Sequence, residues 1–108
     1  MTEDSDLSAL REATRDRRVL WHLHSLERML ERGISRTEVL QAVSDGEVVE
    51  EYPEDRPFPS YLFMNVDQQP LHVVAATDPS AQVCHIITVY RPDTEHFGDD
   101  LKTRRRES

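Results

Sequence analysis

A chain of 108 residues, 37% apolar and 31% charged, carries a net charge of -8. That length fits one domain, 1–108, with one modest core, and the surplus of carboxylates, taken whole, argues against non-specific nucleic-acid binding, which rests on neutralising phosphates. No apolar run approaches the roughly 18 residues that span a bilayer, and the acidic start from Met1 to Asp6 is unlike a signal peptide, so the expectation is a cytoplasmic protein with no membrane partner.

In chain order, residues 1–6 are a polar start expected to fray, and 102–108 are expected to form a disordered tail. Leu7, Leu10 and Thr14 mark a helical stripe from Leu7 to about Arg18. A second helix is expected from about Val19 to Arg32, ended by Gly33 in the left-handed cap that glycine favours. The run Ser35-Arg-Thr-Glu38 matches a capping box, and Val39, Leu40 and Val43 give the apolar face of a third helix closed by Gly46.

Beyond Gly46 the prolines at 53, 57, 59, 70, 79 and 92 divide four runs rich in β-branched and aromatic residues. They are Glu47–Tyr52, Ser60–Val66, Leu71–Thr77 and Gln82–Arg91. The links from Asp67 to Pro70 and from Asp78 to Gln82 are short enough for hairpins, so the last three strands should form an antiparallel meander. Helices first and strands afterwards give an α+β fold, with two to three N-terminal helices on one face of a four-stranded antiparallel sheet and a short basic tail.

The single cysteine, Cys84, rules out an internal disulfide or a thiolate cluster within one chain, and its apolar strand makes it an inert thiol. Every cation but Lys102 is an arginine, seven of them between Arg11 and Arg36 and three at Arg104 to Arg106. That tail could reach an RNA backbone, or order only on a partner.

The second helix carries the richest chemistry. His24, Arg28 and Arg32 fall four apart, with Glu27 and Glu31 beside them and Leu26, Met29 and Leu30 opposite. An imidazole that titrates near neutral pH, beside fixed guanidinium charges, can handle a phosphodiester. The same spacing fits a solvated face on which the arginines pair with Glu27 or Glu31. Arg32, beside the Gly33 cap, reads as structural.

His22 and His24, two apart on a helix, should point to different faces. With no third ligand at metal spacing, neither a metal nor any other cofactor is expected. His72, on a strand face with Val74 and Ala76, is either a satisfied core histidine or the floor of a cleft, and His85 has a weaker version of that setting. Tyr90 and Arg91, at a strand end before Pro92, could present a phenol and a cation at a cleft rim, or be an ordinary core aromatic and its neighbour. The acidic patch Glu50, Glu51, Glu54 and Asp55 reads as solvated surface.

Four segments together carry a resemblance to a known family. They are His24 to Ser35, Gly46-Glu-Val-Val-Glu-Glu-Tyr-Pro53, Pro70-Leu-His-Val-Val74 and Ile86-Ile-Thr-Val-Tyr-Arg-Pro-Asp93. In order and spacing, over roughly residues 19 to 106, they resemble a family of small bacterial proteins known only as a domain of unknown function. The resemblance implies a fold like the RelE, BrnT and MqsR toxins of type II toxin–antitoxin pairs, which cut RNA without a metal. It further implies an antitoxin encoded nearby, of the zinc-finger MqsA type, and an RNA substrate, with oligomeric state left open. On that analogy His24, Arg28, His72, Tyr90 and Arg91 line a catalytic cleft, a histidine or Tyr90 serving as base or acid.

Three readings follow. The preferred one is a metal-independent endoribonuclease toxin. A second is a non-catalytic module that binds a partner protein through its Arg-rich helix and acidic loop. A third, a metal-dependent nuclease, has abundant carboxylates but no ligand spacing behind it.

Overall fold

The computed structural model describes residues 5–65, 70–78 and 80–92. Eight elements follow in chain order: α1 Ser5–Arg15, β1 Val19–Trp21, α2 Leu23–Arg32, α3 Arg36–Asp45, β2 Glu47–Tyr52, β3 Ser60–Asn65, β4 Leu71–Asp78 and β5 Val83–Tyr90. Ser5 and Asp6, expected in the frayed start, already belong to α1. The expected tail at 102–108, the last strand residue Val66 and most of the turn at 67–70 lie outside the described residues.

The α+β class holds, with three helices, but the sheet has five strands and is mixed, in the order β1-β5-β4-β3-β2. Strands β2 to β5 form the expected antiparallel series. The addition is β1, which pairs in parallel with β5 in the register Leu20↔His85. Val19–Trp21 was expected to start the second helix. Instead the Cys84 N–H donates to the Arg18 carbonyl at 2.9 Å and the His22 N–H to the Ile86 carbonyl at 3.4 Å. Branched and aromatic side chains suit that short extended segment, and α2 begins only after it.

One face of the sheet carries the core. Tyr61 and Phe63 of β3, Val73 and Ala75 of β4, and Cys84, Ile86 and Val89 of β5 join Leu10, Met29, Val39 and Val43 from the helices in one buried cluster. α1 packs on β4 and β5, α3 on β3 and β4, and α2 against β5. Cys84 is fully buried, and burial pushes its thiol up to about 11 against the opposing pull of a hydrogen bond with Thr14, so it is inert as read. Residues on the opposite face, Leu62, Met64, His72 and Ala76, are buried as well.

The helix ends divide into those foreseen and those not. Ser35 caps α3 by accepting the Glu38 N–H at 3.1 Å, and Gly33 closes α2 in the left-handed region at φ 64°. Gly46 is different: it is extended, and its N–H donates to the Ala42 carbonyl. Its lack of a side chain serves close approach, since a β-carbon there would fall 2.2 Å from the Ala42 oxygen and 2.7 Å from the Met64 oxygen. Leu30, expected on the apolar side of α2, is 86% exposed; Ser25, Leu26 and Met29 face inward instead.

Candidate active site

Where the chain leaves β1 and enters α2, it forms with β5 a cleft of about 550 Å³. Its walls include His22, His24, Ser25 and Arg28 on one side and Ile87, Thr88 and Val89 of β5 on the other. A bulge shapes the β5 wall. Val74 pairs with Thr88 and Ala75 with Ile86, so Ile87 has no opposite residue in β4. Such an insertion bends a strand and re-aims its neighbours. The Ser25 hydroxyl lies 3.1 Å from the Ile86 carbonyl and 2.8 Å from that of Ile87, which rivets α2 to the bulge and commits that hydroxyl to the scaffold.

His22 and His24 line the same cleft, contrary to the helical expectation. His22 is not helical: its backbone is extended, at φ -74° and ψ 143°, and it stands at the N-cap of α2. A strand-like residue followed by a helical one does not follow the 100° step that separates neighbours on one helix. His24 and Arg28, one turn apart on α2, are both exposed on this wall.

Behind His22 stands His85, whose setting on its strand looked the weaker of the two strand histidines. His22 Nε2 lies 3.2 Å from His85 Nδ1, with the rings edge to face at 5.4 Å. Phe58 lies against the other ring, 5.8 Å from His85. Burial, and then the nearness of His22, lower the His85 pKa below the ordinary imidazole value, against a smaller opposing pull from Asp78. His85 is therefore neutral near pH 7. The 3.2 Å contact joins the two rings through one shared hydrogen bond. No sequence signal could have found this pair, because it depends on β1 meeting β5.

The remaining predicted residues lie elsewhere. His72 is fully buried, faces Tyr90 across β4 and β5, and its Nδ1 is 3.1 Å from the Tyr90 hydroxyl. This is the satisfied core histidine that the sequence left open. Arg91 donates to Glu38 of α3 at 2.9 Å and to the Pro70 carbonyl at 3.3 Å, tying the end of β5 to the start of α3. Neither His72, Tyr90 nor Arg91 lines the cleft. Arg32 lies outside its lining too. Among the described residues, no group of three His, Cys, Asp or Glu side chains is placed to hold a metal ion.

The His85 shift has a consequence for stability. Its folded-state pKa lies below the unfolded value of 6.5, so the unfolded chain binds that proton more readily. The neutral ring therefore contributes stability that is present above about pH 6.5 and lost as pH falls toward the folded-state value. His85→Phe is expected to flatten this decline, read as a smaller difference in urea midpoint between about pH 7.5 and about pH 5.

An α+β domain with an imidazole-lined cleft at the edge of a mixed sheet is thus the class defined. The chain belongs to the DUF4258 family, a domain of unknown function, whose profile matches residues 21–91. The matched stretch takes in every residue lining the cleft, together with His85, and leaves α1 outside. No curated protein and no solved structure matches the chain.

Proposed function

We propose that the protein is a metal-independent endoribonuclease, the toxin of a type II toxin–antitoxin pair, with its active site in the cleft between α2 and β5. The observation that carries this reading is the gathering of His22, His24 and Arg28 on one wall of that cleft, with His85 backing His22. Cleavage through the 2′-hydroxyl of RNA needs a base, an acid and a cation. His22 takes the 2′-hydroxyl proton, and the 2′-oxygen forms its bond to phosphorus. The bond from phosphorus to the 5′-oxygen breaks, and protonated His24 supplies the proton that this oxygen needs. Arg28 steadies the charge on the equatorial oxygens. The products are a 2′,3′-cyclic phosphate and a free 5′-hydroxyl. Bound antitoxin would cover the cleft, and Leu23 on its rim, 71% exposed, offers such a partner an apolar contact.

Expression of the chain in a bacterial host tests the reading in the cell. Growth should stop on induction and recover when the gene's immediate neighbour is co-expressed. The Arg28→Ala variant, made at the same level, should leave growth untouched. Arrest by that variant equal to wild type would contradict the proposed role of the cleft.

A further inference from the structure

A second groove shares no lining residue with the cleft. It measures about 220 Å³ and has Val19, Trp21 and Leu40 as its apolar floor, with Arg17, Arg36 and Thr37 around it. An adjoining hollow of about 270 Å³ shares Arg17, Thr37 and Leu40 and extends the groove toward Arg15.

Its two bare arginines both sit where local energetics disfavour them. α1 ends with the Arg18 N–H bonded to the Ala13 carbonyl and the Arg17 N–H to that of Thr14. This closing pattern places Arg17 at the position that usually carries glycine, and its φ is 62°. Arg36 is the first residue of α3, where a cation faces the positive end of the helix dipole. Its guanidinium lies 5.5 Å from the centre of the Trp21 ring. Neither guanidinium makes a hydrogen bond or ion pair with a described residue, whereas those of Arg15, Arg18 and Arg91 are ion-paired. In a chain of net charge -8, two cations left unpaired beside one groove point to an anionic occupant.

The backbone beside the groove specifies the form of that occupant. Among the described residues β1 is the outermost strand, and the Arg18 carbonyl and His22 N–H that flank it bond to β5. In a parallel pair, alternate residues face the neighbour, so the N–H and C=O groups of Val19 and Trp21 point to the open edge. A strand added there would lay its inward side chains over the groove between Arg17 and Arg36.

We propose that this edge binds an extended acidic peptide segment of a partner protein, which adds a strand to β1 and sets carboxylates against Arg17 and Arg36. Strand addition supplies affinity through the backbone, and the flanking side chains supply choice. The site does not depend on ribonuclease activity in the cleft.

Trp21 is the sole tryptophan of the chain, so its emission reports on the groove directly. The full chain is titrated with a capped heptapeptide of alternating glutamate and valine, with its lysine–valine counterpart and with a heptamer of uridylate. A saturable change in emission is expected with the acidic peptide alone. Arg17→Gly removes the guanidinium and relieves the left-handed strain, so its melting temperature should be no lower than wild type, while affinity falls about tenfold. Arg36→Gln should give a similar loss. No saturable response to the acidic peptide, an equal response to either other probe, or unchanged affinity in Arg17→Gly would overturn the proposal. Dimerisation of the chain alone through this edge, seen by sedimentation and abolished by Arg17→Gly, would overturn it in favour of a second copy.

Discussion

Replacing His24 by alanine is expected to lower RNA cleavage about 10²–10⁴-fold, the usual contribution of a positioned acid or base, while leaving the melting temperature unchanged. The side chain is exposed on the cleft wall and has no hydrogen bond or ion pair among the described residues, so its removal disturbs chemistry and not packing. Arg28→Ala should behave alike, with Arg28→Lys keeping part of the activity because a point charge replaces a planar fork. His72→Ala provides the contrast. That ring is fully buried and bonded to Tyr90, so its loss should appear as reduced stability. A His24→Ala enzyme as active as wild type, in a parallel assay of folded proteins, would remove His24 from the mechanism.

The second large effect concerns the fold. Gly46→Ala is expected to destabilise the domain by about 3 kcal/mol, at the upper end of ordinary overpacking costs, and to lower the melting temperature by more than about 10 °C. The added carbon meets two backbone oxygens, Ala42 at 2.2 Å and Met64 at 2.7 Å, and backbone cannot swing aside as a long side chain can. α3 and β3 would have to part, loosening the bond from the Gly46 N–H to Ala42 and the Arg11 guanidinium bond to the Gly46 carbonyl at 2.9 Å. Gly33→Ala is the control: nothing lies within 4 Å of its added carbon, so only the left-handed backbone is penalised, by about 1–2 kcal/mol. Equal melting temperatures for the two variants would show that Gly46 is not wedged as described.

The two glycines illustrate what a sequence can and cannot carry. Both follow an apolar helical stripe and read alike as terminal caps, and α3 was legible to within a residue because its signals are local. Gly33 is left-handed, as local chemistry requires. The demand on Gly46 comes from the Ala42 oxygen and from Met64 of a strand that follows it by some twenty residues, and the second of these leaves no local pattern. β1 was missed for the same reason. Three apolar residues have no measurable period, and their partner β5 lies at the far end of the fold.

The site follows this division. His24 and Arg28 share a helical face, so their common exposure could be read from spacing. The partnership of His22 with His85 exists only because β1 pairs with β5 in one register, and it brings into the cleft a histidine that helical spacing sends elsewhere. His72 and Tyr90 were each visible as polar groups among apolar ones, yet only the β4–β5 register shows that they satisfy each other. Arg91, readable as a cation at a cleft rim, is held by Glu38, the residue whose backbone N–H is bonded by the Ser35 side chain.

The central claim is that the cleft cuts RNA through the 2′-hydroxyl with its own side chains. The most direct measurement incubates purified protein with total RNA in excess EDTA, alone and with ribosomes, and identifies fragment ends by mass spectrometry. Fragments ending in 2′,3′-cyclic phosphate and beginning with a 5′-hydroxyl are expected from the wild-type chain and should be lost with His24→Ala. RNA left intact under both conditions, or cut equally well by the His24→Ala chain, would contradict the claim.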